Sequence, residues 1–410
     1  MNIPDKYKAD RLFLLIGENT LPNYVAARTL LKEGGTVYLV FPSYEHIIYR
    51  KDLLEGVDGL KPFNVKCQPV DLGKHESNAR EIYDRIQDSI REDAQEGKVG
   101  LNYTGGTKAM AVHAYRAIQE LKPDAYFSYL DPRRLKMWIN EGDREPISYN
   151  VPIQLSLEQL FNLHGTYWLI HHPPRTEPYL LDLAKKIAEL HTDTVSEENW
   201  KKIRQALREG NHLEDSHTDF KKVLNQYVNF SGDSPQITSK ARKAGLTDWK
   251  SFRDLFTGEG YWLENYTLAK VKEISKKIGI KYENSMMSFR VVDDKRKAKT
   301  KNQKASKFEL DLAFIRGYQL FAISCTVSPN KDVCKNKLFE AYLRARELGG
   351  DEARVALVCC YANPEKIEQD MAKFGIRDSK IKVFGREHLA NLAEEIADWV
   401  KKLDREANRK

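Results

Sequence analysis

Leu101-Asn102-Tyr103-Thr104-Gly105-Gly106-Thr107-Lys108-Ala109-Met110 passes from the end of an apolar strand pattern, across two adjacent glycines, into the first turn of a helix. A turn of this kind is suited to an anion. Gly105 and Gly106 let backbone approach a ligand closely, Thr104 and Thr107 add hydroxyls, and Lys108 adds a full positive charge; the N–H groups at the helix start carry partial positive charge. The spacing is neither the Walker A loop, which needs Gly, four residues, Gly-Lys and then Ser or Thr, nor the Gly-x-Gly-x-x-Gly dinucleotide turn. ATP hydrolysis and nicotinamide chemistry are therefore disfavoured. Alone, the same residues also suit a loop that uses glycine only to turn.

Around this stretch, the first 150 residues alternate strand and helix patterns as a parallel, helix-flanked sheet requires. Strands are expected at Leu12 to Ile16, Thr36 to Phe41, Val65 to Pro69, Val99 to Tyr103 and Ala125 to Tyr129, with helices near Pro22 to Lys32, Tyr44 to Leu54, Asn78 to Asp93 and Thr107 to Leu121. The unit is Rossmann-like, and ligands of such sheets sit beyond the carboxyl ends of the strands. Two loops fall there: Gly17-Glu18-Asn19-Thr20-Leu21-Pro22-Asn23 and the Thr104 to Lys108 turn. Pro22 fits a first helical position with Asn19 or Thr20 as cap, so a second helix start faces the same crevice.

Residues 151–258 read as a helical connector, and residues 259–410 as an α/β unit in the order helix, three strands, helix, strand. In Phe308-Glu309-Leu310-Asp311-Leu312-Ala313-Phe314, the period of two places Glu309 and Asp311 on one strand face, opposite Leu310, Leu312 and Phe314. Carboxylates sharing a face repel unless they meet water or a cation such as Mg2+ or Mn2+. Glu264, near a helix start, offers a further oxygen. The pair also fits the wet face of an edge strand.

The segment Asn102 to Met110, with Gly17-Glu18-Asn19 and Pro22-Asn23 upstream, resembles the CRISPR-associated Rossmann fold (CARF) family. The chain from Trp262-Leu263-Glu264 through Glu309-Leu310-Asp311 resembles the PD-(D/E)XK restriction-endonuclease-like domain joined to CARF in type III CRISPR ancillary nucleases. The resemblance implies a homodimer binding cyclic tetra-adenylate through residues 1–150 and cleaving DNA or RNA with a metal held by residues 259–410. Glu264 and Asp311 would be the metal ligands, and Glu309 and Ser324 part of the catalytic group. The ring would meet Gly17, Glu18, Asn19, Thr20, Pro22, Asn23, Thr104, Gly105, Gly106, Thr107 and Lys108, with Tyr44 or Asn19 against adenine. One departure stands out. Where the nuclease pattern has Glu-x-Lys, this chain reads Ile323-Ser324-Cys325-Thr326, which leaves either a catalytically degenerate sensor that binds nucleic acid or a lysine relocated to the next helix. Lys335, spaced to share a face with Phe339, Tyr342 and Arg346, is the expected replacement, ahead of Lys337; Glu264 or Glu340 would compensate for the lost Glu. Slow cleavage of the ring by the first unit is a third possibility.

The net charge of +7 is modest, but Lys295, Arg296, Lys297, Lys299, Lys301, Lys304 and Lys307 crowd one stretch without an acid, as a nucleic-acid grip would. The five cysteines form no Cys-x-x-Cys pair and no zinc spacing, which suggests reduced thiols. No apolar run approaches the roughly 18 residues of a membrane span, so a cytoplasmic protein is expected.

Overall fold

The computed structural model describes residues 3–92, 96–141, 145–192, 194–209, 218–230, 235–257, 260–302, 306–376 and 380–408. Its first half is the alternation read from sequence: β1 (Ala9–Leu15), α1 (Leu21–Leu30), β2 (Leu31–Phe41), α2 (Glu45–Glu55), β3 (Lys66–Asp71), α3 (Ala79–Glu92), β4 (Val99–Asn102), α4 (Lys108–Leu121) and β5 (Tyr126–Asp131). These five strands are parallel in the order β3-β2-β1-β4-β5, so the chain reverses its winding between β1 and β4. Two strands not anticipated, β6 (Lys136–Glu141) and β7 (Ile147–Asn150), extend the β5 edge antiparallel. Their alternating pattern is short and interrupted, which is why it was hard to read.

The next stretch holds α5 (Leu157–Leu163), β8 (Tyr167–Trp168), α6 (Leu181–Glu189), α7 (Thr194–Glu209), α8 (Thr218–Leu224), a small hairpin of β9 (Val228–Asn229) and β10 (Gln236–Ile237), α9 (Ser239–Lys243) and α10 (Trp249–Thr257). Beyond it come α11 (Tyr261–Glu273), β11 (Ser285–Val292), β12 (Phe308–Arg316), β13 (Gln319–Thr326), α12 (Lys331–Gly349), β14 (Arg354–Cys359), α13 (Pro364–Lys373), β15 (Ile381–Phe384) and α14 (Leu392–Asn408). The second sheet runs β15-β14-β13-β12-β11-β8, parallel over its first three strands and antiparallel thereafter. β15 was not foreseen, because four residues between charged loops carry too little pattern.

Helix α5 sits between the sheets. Its Leu157, Leu160, Phe161 and Leu163 share one buried cluster with Leu12 and Leu39 of the first sheet and Phe289 and Leu310 of the second. The two halves are thus packed over a common apolar core, which fixes their relative position far more firmly than a flexible tether does. Polar links reinforce it: the Arg50 Nη1 donates to the His164 carbonyl at 2.9 Å, and Arg133 Nε pairs with Glu352 at 3.2 Å. All five cysteines are free. Among the described residues no helix is long and apolar enough to cross a membrane.

Candidate functional site

β1 and β4 are neighbours whose chain connections leave in opposite directions, so the loops at their carboxyl ends open a crevice between them. Those are the two loops singled out from sequence. They touch: a Cβ on Gly17 would lie 3.0 Å from the Gly106 nitrogen, and a Cβ on Gly105 would collide with the Leu15 carbonyl and come within 2.9 Å of Asn23 Oδ1. Gly106 has φ +71°, in the left-handed region that favours glycine. The glycine pair therefore serves loop-to-loop packing as well as openness to a ligand.

The crevice has a volume of about 660 Å³ and is lined on one side by Gly17, Glu18, Asn19, Pro22, Thr104, Gly105 and Gly106. The opposite wall comes from elsewhere: Arg50 of α2, His164 after α5, Gln319 of β13, and Leu343, Arg346 and Glu347 of α12. Nothing in local sequence pattern could have placed these together. Gly350 lies so close to Asn19 that a Cβ there would collide with its amide. Asn19 Oδ1 accepts from the Leu21 N–H at 3.0 Å and lies 3.1 Å from His164 Nε2. Burial, with the Arg50 charge, holds the His164 ring down to a pKa of about 4, although the Leu160 carbonyl at 2.8 Å from Nδ1 opposes that.

Several expected ligand residues lie elsewhere. Thr20 donates its hydroxyl to the Leu163 carbonyl, and Asn23 donates to the Leu15 carbonyl at 2.9 Å, so both tie the loop to the scaffold. Thr107 caps α4 by accepting from the Met110 N–H at 3.1 Å and donates to the Glu76 carbonyl; Lys108 beside it is exposed outside the crevice lining. Tyr44 donates to Glu76 at 3.1 Å, also outside it. For Thr107 the reason is local: it is the N-cap of α4, so its hydroxyl is committed to the helix start.

A second, smaller cavity of about 140 Å³ lies among α11, β12, β13 and α12. It brings together Glu264, Glu309, Asp311, Ser324, Lys337, Glu340 and Arg344. Asp311 Oδ2 accepts from the Ser324 hydroxyl at 2.8 Å and from the Cys325 N–H at 2.7 Å. Glu264 Oε2 accepts from the Ser288 hydroxyl at 3.2 Å, and Ser288, opposite Asp311 in the β11–β12 register, has φ +59°. A non-glycine residue in that region inside a strand is strained by about 1–3 kcal/mol, which the surrounding packing must offset. Sequence alone gave no sign of Ser288.

Burial and the neighbouring Asp311 charge push the Glu264 carboxyl well above its usual range, against the hydrogen bond from Ser288 and the pull of Lys337. Asp311 is raised too, chiefly by burial, while Cys325 N–H, Ser324 and Lys337 pull the other way. Both carboxyls therefore hold a proton more tightly than they would in water, and a cation bound between them would compete with that proton. Glu309, by contrast, is at the mouth and paired with Arg290 at 2.9 Å. Cys325 is also pushed well up by burial and the two carboxylates, so its thiol is no nucleophile.

Of the two lysines weighed as a replacement, it is Lys337 that lies at the cavity. Lys335 pairs with Asp332 at 3.2 Å, outside the cavity, whereas Lys337 lines it. The phase of α12 decides this: Cys334, Leu338, Ala341, Ala345 and Leu348 form its buried stripe, and Phe339, assumed to point inward beside Lys335, is exposed. The basic run also differs from expectation. Lys295 pairs with Asp58 at 2.7 Å, Arg296 with Asp294 at 3.0 Å and Lys297 with Asp293 at 3.0 Å, because acids immediately upstream and on the first half fold against it. Lys299 and Lys301 are exposed, and Lys304 lies outside the described residues.

The two carboxylates suit Mg2+ or Mn2+, which commonly take one or two protein carboxylates and complete their shell with water and substrate phosphate. Among the described residues no group of three or more His, Cys, Asp and Glu side chains is arranged to hold a metal by itself.

Two solved structures match this arrangement of sheets and helices almost end to end. Can2 from Sulfobacillus thermosulfidooxidans, in complex with cyclic tetra-adenylate, superposes with a TM-score of 0.69 at 15% identity, covering 95% of this chain and 99% of that one. Protein VC1899 from Vibrio cholerae gives 0.71 at 14% identity, covering 96% and 99%. The chain shares their fold. No protein-family model matches the sequence, and no curated protein matches it either.

Proposed function

We propose that the chain is a ligand-gated nuclease of type III CRISPR defence: cyclic tetra-adenylate bound by the CARF-like residues 1–150 of a homodimer switches on metal-dependent cleavage of DNA or RNA by the PD-(D/E)XK-like residues 259–410. The observation that carries it is the coexistence, in one fold shared with Can2, of a crevice at the winding reversal of a Rossmann-like sheet and a lysine-bearing pocket with two buried carboxyls. Can2 was solved with that same ring.

In this reading Glu264 and Asp311 hold Mg2+ or Mn2+, which supplies an activated water and stabilises charge at the phosphodiester. Ser324 and the Cys325 N–H aim Asp311, and Ser288 aims Glu264. Lys337 contributes the positive charge that the missing Glu-x-Lys lysine would have given, orienting the attacking water and offsetting charge on the substrate. Lys299 and Lys301 add charge for the nucleic-acid backbone. In the crevice, the Gly105–Gly106 amides and Arg50 face the ring's phosphates, and Asn19 faces an adenine.

The test is cleavage of supercoiled DNA and single-stranded RNA with Mn2+, with and without the ring, by wild type and Asp311→Asn. The substitution keeps an oxygen to accept from Ser324 and Cys325, so the fold should persist. Ring-stimulated cleavage that falls about 100-fold or more in the variant is expected. Intact substrates in the presence of bound ring would refute the enzymatic half. They would leave the second reading, a ring-sensing nucleic-acid binder, which Ser324-Cys325-Thr326 in place of Glu-x-Lys favours.

A further inference from the structure

Helix α12 lines both cavities, as does β13, which reaches the crevice with Gln319 and the acidic pocket with Ser324. The helix is 19 residues long, about 28 Å at the usual helical rise. Lys337, Glu340 and Arg344 face the acidic pocket; Leu343, Arg346 and Glu347 face the crevice. One ion pair joins the two sets. Arg344 Nη1 lies 3.6 Å from Glu347 Oε2, and the other oxygen of Glu347 is bonded by Lys307, directly before the strand that carries Glu309 and Asp311. Arg344 is not firmly anchored on the pocket side: its Cζ lies 4.6 Å from the Phe308 ring centre, and its buried Nε has no hydrogen-bond partner.

We infer that Arg346 binds a phosphodiester of the crevice ligand and that the Glu347–Arg344 pair transmits its presence to the acidic pocket. The inference rests on the ligand-gated reading above. A phosphate at Arg346 adds negative charge next to Glu347, and the combined field draws the Arg344 guanidinium toward the crevice. Its positive charge then leaves the cavity that it lines with Glu264 and Asp311, where a cation would meet less repulsion. The coupling acts in both directions: if the ring tightens cation binding by some factor, the cation must tighten ring binding equally. The end of α12 is held against the first of the two loops by the Asn19–Gly350 approach, and the turn after β5 is tied beside it by the Arg133–Glu352 pair, so a shift at the crevice has a short mechanical path as well.

Calorimetry of the full-length chain with cyclic tetra-adenylate, and Mn2+ titration with and without the ring, read this directly, without cleavage. Wild type should bind Mn2+ about 5-fold or more tightly when the ring is present. Arg346→Ala should weaken ring binding about tenfold. Glu347→Gln, which keeps the size of the side chain, should still bind the ring but bring the coupling factor down to within about twofold of unity. If wild type binds the ring and Glu347→Gln retains the full factor, or if Arg346→Ala binds the ring as wild type does, the inference is overturned while the functional reading stands. If wild type fails to bind the ring at all, both are overturned together.

Discussion

The crevice and the acidic pocket are built by opposite means. The crevice is wide, and half of it comes from two loops whose glycines can be seen in the sequence; the pocket is about a fifth as large in volume and draws on four elements spread from Tyr261 to Gly349. In the crevice the backbone geometry is fixed first and polar groups gather around it. In the pocket, side chains are forced into a shared low-dielectric space, and the cost appears as raised carboxyl pKa values and a left-handed Ser288. The lesson is that an open crevice can be written locally, whereas a buried polar pocket is written across the chain.

The sharpest way to break that contrast is at the two lysines. Lys337→Met should lower ring-stimulated cleavage by about 100-fold, whereas Lys335→Met should stay within roughly twofold of wild type, since Lys335 pairs with Asp332 outside the cavity lining. Equal effects of the two, measured as single-turnover rates, would return the assignment to the reading made from helical spacing.

A methyl group probes the crevice. Gly105→Ala places its Cβ into the Leu15 carbonyl, and backbone cannot yield as a side-chain tip does, so a loss of about 1–3 kcal/mol in unfolding free energy is expected together with weaker ring binding. Unchanged stability in urea would mean that the two loops are not packed as described.

The smallest effect separates the two regions by pH. His164 in the crevice has its pKa held down to about 4, from an ordinary 6.5, so the folded state prefers the neutral ring. Its contribution is fully present above about 6.5 and is lost as pH falls towards 4, because the unfolded chain takes up the proton first. The pocket has the opposite sign: Glu264 and Asp311 are raised, so their burial disfavours the folded state increasingly as pH rises and they ionise. His164→Phe should therefore make the fall in stability between pH 6.5 and 4 shallower. Parallel urea titrations of both proteins would show it, and an unaltered slope would remove His164 from the account.

Much of this was legible in the chain itself. The five parallel strands, the two ligand loops and the Glu309–Asp311 strand follow from periodicity and glycine placement, which act over a few residues. What was not legible depends on distance in sequence. Arg50, His164, Gln319 and Arg346 reach the crevice only because α5 seats the second sheet against the first. Lys335 and Lys337 differ by two positions on one helix, and their fates turn on which stripe of α12 meets β13 and β14, a choice the spacing of Phe339 and Tyr342 misrepresented. Lys295, Arg296 and Lys297 looked like an unopposed run until Asp58, Asp293 and Asp294 folded beside them.

The wedge formed by α5 has one more consequence. Because Leu157, Leu160 and Phe161 are shared property of both sheets, neither half carries a finished surface of its own, and cutting the chain between them would leave a greasy scar open to water.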